Sequence, residues 1–232
     1  SVNRPEFREV STSVFYDFDL ASNVEGNAAL KPAYVDNIDI SYELYPADGE
    51  LLNVSLFYKR FKDPIEWVYT INGGTDYTYS NVNANNADNY GIELDIRKNL
   101  DFIGLNNFSW SFNGSLIKSK VHFDDNSLQK NRPMQGQSPY LVNTGLFYQN
   151  KGWSAAVLYN RIGKRIIGVG RSMGTGENIV NVPDSYEMPR NTIDLSLSKQ
   201  LGDHFEVKVG VRDLLGEKIT YQQYQETSHG EI

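Results

Sequence analysis

The chain alternates apolar and polar residues in segments whose connections switch regularly between very short and very long, and few folds accommodate that pattern. Ile38, Ile40, Tyr42 and Leu44 share one face of an extended segment, and Asn37, Asp39, Ser41 and Glu43 share the other, because strand side chains alternate with period two. Pro46-Ala47-Asp48-Gly49 reads as a tight turn. Leu52, Val54, Leu56 and Tyr58 then alternate with Asn53, Ser55, Phe57 and Lys59, so the second segment pairs back with its apolar face matched. The same grammar recurs in Tyr90 to Arg97 with Phe108 to Asn113, in Val142 to Tyr148 with Trp153 to Tyr159, and in Ile193 to Leu197 with Phe205 to Val211. Long polar stretches, 63–88, 119–138 and 162–190, separate the hairpins and read as loops.

Every second connection is short, so all the short ones fall at one end. A transmembrane barrel of the bacterial outer membrane has this asymmetry: strands of roughly 9–11 residues, short periplasmic turns and long outer loops. The minority faces carry Asp95, Arg97, Glu206, Lys208 and Arg212, which suit a wet lumen and would be costly in a dry core. Tyr45, Tyr58, Tyr90, Tyr148, Trp153 and Tyr159 stand near segment ends, where interfacial aromatic girdles belong. A mean hydropathy of -0.48 would class the chain as soluble, but alternation hides a barrel's membrane signal from averages. The expected fold is therefore all-β, a transmembrane antiparallel up-and-down barrel with about eight strands present.

Cys 0 removes disulfides, thiolate metal sites and cysteine nucleophiles together. A net charge of -7 with scattered basic residues argues against a nucleic-acid partner. The start, Ser1-Val2-Asn3-Arg4-Pro5, has no signal-peptide pattern, so a leader upstream is expected. At the other end, Gln222 to Thr227 does not read as the inward strand that would follow Phe205–Arg212 in an even-numbered barrel.

Several segments together resemble a known family. Asn3-Arg4-Pro5-Glu6-Phe7-Arg8-Glu9, Phe15-Tyr16-Asp17-Phe18, Gly26-Asn27 and Leu30-Lys31-Pro32 resemble the C-terminal half of TonB-dependent outer-membrane receptors of the Bacteroidetes type. Leu56 to Glu66, Asn89-Tyr90-Gly91-Ile92-Glu93-Leu94 and Val211-Arg212-Asp213-Leu214-Leu215-Gly216 look like later strands of the same barrel. The resemblance implies a barrel of about 22 strands with a plugged lumen. Residues 1–232 would then be the C-terminal part of one barrel domain, without the plug or the early strands. It further implies energised import of a scarce nutrient, such as an iron chelate, vitamin, glycan or peptide, through a Gram-negative outer membrane. The implied partners are outer-membrane lipid, the TonB complex through the missing plug region, a small nutrient ligand and, optionally, a surface lipoprotein. No cofactor and no enzymatic activity are implied.

Motifs for chemistry are few, and each has a plainer reading. His122, His204 and His229 stand far apart, the first expected in a loop and the second in a turn, with no metal-ligand spacing. Ser115-Leu116-Ile117-Lys118 matches Ser-x-x-Lys, but on a strand those two side chains face opposite ways. Gly168-Val169-Gly170 with Gly174 and Gly176 lacks the helix of a dinucleotide site and reads as a mobile loop. Asp124, Asp125 and Asn126 lack the rest of a calcium loop. Candidate ligand contacts are the aromatics Trp67, Tyr69, Tyr77 and Tyr79, which could stack on a ring, and Arg161, Arg165 and Arg171, which could hold an anion; the competing reading is aromatics that pack on one another. Two other architectures also fit parts of the pattern. One is a self-contained small barrel acting as an adhesin, structural protein or hydrolase; the other is a soluble carbohydrate-binding β-sandwich.

Overall fold

The computed structural model describes residues 1–18, 22–71, 77–123, 131–170 and 183–223. In chain order the elements are β1 (Val2–Asn3), α1 (Phe7–Val10), β2 (Val14–Asp17), β3 (Ser22–Glu25), β4 (Ala33–Leu44), β5 (Leu51–Lys62), β6 (Ile65–Ile71), β7 (Tyr77–Asn83), β8 (Asn86–Asn99), a 3₁₀ turn (Asp101–Ile103), β9 (Phe108–His122), β10 (Tyr140–Asn150), β11 (Trp153–Ile162), β12 (Arg165–Gly170), β13 (Ser185–Glu187), β14 (Arg190–Leu201), β15 (Phe205–Val211) and β16 (Tyr221–Gln223).

All eight alternating segments are strands of one antiparallel wall. Its nine strands run β1-β4-β5-β8-β9-β10-β11-β14-β15, with only the short β1 beyond those expected. The sheet is open, with β1 and β15 at its edges. Short connections after β4, β8, β10 and β14 all lie at one end, because each hairpin returns a strand antiparallel to its predecessor.

Register gives the wall two faces. Outward stand Ile38 and Ile40 on β4, Leu56 on β5, Ile92 on β8, Leu116 on β9, Leu146 on β10, Val157 on β11, Leu197 on β14 and Val209 on β15, all exposed. Among the described residues no second layer covers these side chains, whereas a sandwich would bury them between its sheets. The buried clusters lie elsewhere, in the long-loop end. Val68, Ile166 and Val169 form one, with Val82 and Tyr186 against it, and Ala84, Ala87 and Val121 form the other, with Phe61, Phe123 and Met134.

That end carries a second sheet of seven strands, β16-β13-β12-β6-β7-β3-β2. Here the structure departs from the expected loops. The stretch after β5 turns sharply at Asp63, in the left-handed region at φ 52°, and re-forms as the β6–β7 hairpin. That hairpin is parallel to β12 at Val68↔Val169 and parallel to β3 at Val24↔Tyr79. Strands joined by a tight turn must be antiparallel, but β6 and β12 come from different loops, so nothing in the connectivity fixes their direction. Gly168, Val169 and Gly170, read as a mobile loop, lie in β12, and His122 ends β9 rather than standing in a loop. His204 is in the expected turn.

Two glycines of the family-like motifs have steric reasons. A Cβ on Gly26 would stand 2.0 Å from the Ser11 carbonyl oxygen, so the chain after β3 can pass the end of α1 only without a side chain. Gly91 of β8 faces Phe57 of β5, and its Cβ would meet the Leu116 carbonyl oxygen at 2.4 Å and the Phe57 ring at 2.9 Å. The aromatic ring covers the backbone that the glycine leaves bare.

Candidate functional site: the inner wall and the outer sheet

The inner face of the wall carries a continuous polar row. Glu43, Asn53, Asp95, Asn113, Asn143, Asn160 and Thr192 are successive register partners on β4, β5, β8, β9, β10, β11 and β14. Asn143 Nδ2 donates to Asn113 Oδ1 at 3.5 Å, and Asn160 Nδ2 donates to Asn143 Oδ1. Beside the row, Asp95, Arg97, Asn113, Asn143, Asn160 and Asp194 line a shallow recess. The carboxamides of Asn53, Asn113, Asn143 and Asn160 offer both donors and acceptors, and Glu43 and Asp95 add carboxylate acceptors, so the row can meet water or a polar solute.

The candidate aromatics mostly engage one another. Trp67 and Tyr79 stack with centroids 5.4 Å apart and planes 19° apart, and the Tyr79 ring also lies 5.4 Å from that of Tyr69. Tyr69 is only 2% exposed; its hydroxyl donates to the Pro183 carbonyl and accepts from Gln223 Nε2 at 2.8 Å. Burial pushes its phenol above the usual range. A ligand cannot stack on Tyr69 in this arrangement, whereas Trp67 and Tyr79 are half-buried. Of Tyr77 only the backbone, in β7, is described.

The arginines are dispersed. Arg161 is on the outward face of β11, sharing its parity with Val157 and Tyr159, and donates to the Tyr140 hydroxyl at 3.1 Å and to Asn191 Oδ1 at 2.6 Å. It belongs to the wall's outer rim and not to a loop. Arg165 is paired with Glu187 across β12–β13 at 2.9 Å. Arg171 lies outside the described residues, as do Gly174, Gly176, His229, Asp124, Asp125 and Asn126. Among the described residues, no cluster of three His, Asp or Glu could hold a metal ion.

One pair has no counterpart in the sequence reading. Glu66 of β6 accepts from Arg132 Nη1 at 2.8 Å, and both side chains are almost fully buried. Burial pushes the Glu66 carboxyl above its usual range, with Arg132 opposing the shift. Arg132 also lies over the Phe123 ring at 5.1 Å, and its backbone bridges Val121, so one residue ties the stretch after β9 to the β6–β7 hairpin. Nothing local to Glu66 in the sequence, a carboxylate between Ile65 and Trp67, points to its burial or to a partner 66 residues away.

Comparison with known proteins agrees with this geometry. A profile of TonB dependent receptor-like β-barrels matches residues 2–214. The chain belongs to the TonB-dependent receptor family, in its β-barrel portion. Proteins of this family are receptors of the Gram-negative outer membrane rather than enzymes. Among solved structures, the chain is similar to the copper transporter OprC (TM-score 0.66, 16% identity, 95% of this chain and 30% of that one). It is also similar to the siderophore receptor PirA of Acinetobacter baumannii (TM-score 0.54, 15% identity, 84% of this chain and 29% of that one). A variant of the ferric enterobactin receptor PfeA of Pseudomonas aeruginosa gives a TM-score of 0.53 at 18% identity over 84% of this chain and 27% of that one. At these identities the likeness concerns the fold. The chain spans under a third of the length of each of these three structures. A comparison with curated protein sequences finds no match.

Proposed function

We propose that this chain is the C-terminal part of the wall of a TonB-dependent importer, which draws a scarce small nutrient across the Gram-negative outer membrane by energised transport. The observation that carries the reading is the two-sided wall. A polar row crosses seven adjoining strands inside, bare apolar residues face outward, and every long connection lies at one end. Such a surface separates lipid from a hydrated passage. The similar structures, one named for copper and others for siderophores, support a metal chelate as the first nutrient class to test. The segments from Asn3 to Pro32 support the Bacteroidetes type. A plug outside this chain would contact the TonB complex, and a surface lipoprotein could assist capture at the loops.

The test is uptake by cells carrying or lacking the intact receptor, supplied with labelled ferric chelates, cobalamin, glycans or peptides, with and without a protonophore. Accumulation that needs both the receptor and the energised inner membrane supports import. Receptor-dependent entry unchanged by the protonophore would point to a passive pore. Trp67→Ala probes the loop contribution, since Trp67 is half-buried and contacts only its aromatic neighbour Tyr79 among the ring pairs described. Lower uptake with normal assembly places it at the ligand, and unchanged uptake removes it.

A further inference from the structure

We infer that the outer rim of the β5–β8–β9 wall binds the phosphate-bearing headgroup of an outer-leaflet lipid. On β5 the outward residues run Leu52, Val54, Leu56, Tyr58 and then Arg60 and Lys62; on β9 they run Phe112, Gly114, Leu116 and then Lys118 and Lys120. The faces of the two strands therefore switch from apolar to cationic within one register row of each other, β9 at Lys118 and β5 at Arg60. Tyr58, Tyr90 and Lys118 form one register row, and Arg60, Asp88 and Lys120 form the next outward row.

Leu52 to Tyr58 spans ~20 Å along the strand, close to the ~25 Å apolar band of an outer-membrane barrel. Arg60 and Lys120 stand about two residues, or ~7 Å, beyond the tyrosine row, at headgroup depth and on the lipid side. Arg60, Lys62, Lys118 and Lys120 are all exposed, and none of the four has an ion-pair or hydrogen-bond partner among the described residues. The acids in the same rows are Asp36, opposite Arg60, and Asp88. Asp88 already accepts from the Tyr58 hydroxyl at 2.6 Å and lies 3.6 Å from His122 Nε2. Four cations against two carboxylates leave the patch positive on a chain whose net charge is -7.

An apolar face beneath and unpaired cations above match a lipid with acyl chains below and phosphate at the interface. A soluble anion would have no use for the apolar part. Basic residues at a membrane surface attract anionic lipid in this way.

This inference rests on the membrane-barrel reading, and the experiment separates the two. The intact receptor is purified in mild detergent and exchanged against lipid A, bis-phosphorylated or with its phosphates removed, and retained lipid is measured by native mass spectrometry. The wild type should keep the phosphorylated form in preference to the phosphate-free form. In Arg60→Gln/Lys62→Gln/Lys118→Gln/Lys120→Gln, that retention should fall by at least about tenfold, since each cation near an anionic surface adds to binding. Equal retention of both lipids by the wild type, or unchanged retention by the variant, overturns the site. The wild-type arm decides by itself if the variant fails to assemble. Outer-membrane fractionation and heat-dependent gel mobility report the barrel separately, so a molecule that inserts normally but shows no phosphate preference sinks only the lipid site.

Discussion

At the residue scale, the positions where no side chain fits and the positions where a charge is buried set the sharpest expectations. Gly91→Ala places a carbon 2.4 Å from the Leu116 carbonyl oxygen, and backbone on a paired strand cannot swing aside. Overpacking of this kind costs about 1–3 kcal/mol. The intact receptor should therefore lose its folded gel mobility at a lower temperature, and an unchanged transition would mean that β8 and β9 can separate locally. Glu66 and Arg132 make a different case. Arg132→Met leaves a carboxylate buried without its cation, and breaking such a pair costs about 3–5 kcal/mol. The Glu66 carboxyl is already raised, and without Arg132 it rises further. A raised carboxyl contributes stability that is present below its ordinary pKa and is lost as pH rises through the folded value. Protease nicking of the β6–β7 hairpin in Arg132→Met should therefore be strong at neutral pH and weaker in acid, and Glu66→Gln in the same background should relieve it. Nicking independent of pH would detach Glu66 from the effect.

At the element scale, the short turns and the long loops obey different rules. Beside the first short turn, Glu50 receives Lys98 Nζ at 2.6 Å and the Asn99 amide at 3.3 Å, so the β4–β5 turn is fastened to the end of β8. The Lys98 hydrogen bond holds the Glu50 carboxyl below its usual range. A depressed carboxyl contributes stability present above the unfolded pKa and lost as pH falls through the folded one. Removing Lys98 as Met should thus weaken protection of the turn from exchange at neutral pH and make no difference in strong acid. Equal protection at both extremes would show that the fastening is idle. The wall strands were legible from the sequence because period-two alternation is local: Ile38 to Leu44 declares its faces without reference to anything else. The outer sheet was not legible, because β6 meets β12 through Val68↔Val169, a pairing that no alternation or turn residue announces. The candidate site divides in the same way. Arg161 shares the parity of Val157 and Tyr159, so its outward position was available from the strand pattern, whereas Tyr69's burial depends on Pro183 and Gln223 far along the chain. The polar row was half legible, since β5, β8, β9, β10 and β11 each show an Asn or Asp, but only register shows that Asp95, Asn113, Asn143 and Asn160 are level with one another.

At the scale of the whole molecule, the wall has an inside, an outside and two unlike ends, and the absence of cysteine makes this orientation directly measurable. Asp203 lies in the short β14–β15 turn, and Lys218 lies beyond β15 at the long-loop end; both are exposed. In a barrel with short periplasmic turns and long outer loops, the two positions are on opposite sides of the membrane. A single cysteine at Lys218 of the intact receptor should react in whole cells with a thiol reagent too large for porins, and one at Asp203 should react only after the outer membrane is opened. Cys 0 in the chain means that this region contributes no background thiol. The reverse pattern would invert the barrel and move the Arg60, Lys118 and Lys120 rim to the periplasmic leaflet. Labelling of both positions in whole cells would mean that the wall does not separate two compartments. A third cysteine at Val209, exposed on the outward face of β15, distinguishes the remaining case. In lipid it should resist the reagent whether or not the membrane has been opened, because its surroundings are hydrocarbon rather than water. Reaction there in intact bilayers would place water against the apolar face and contradict the membrane wall itself.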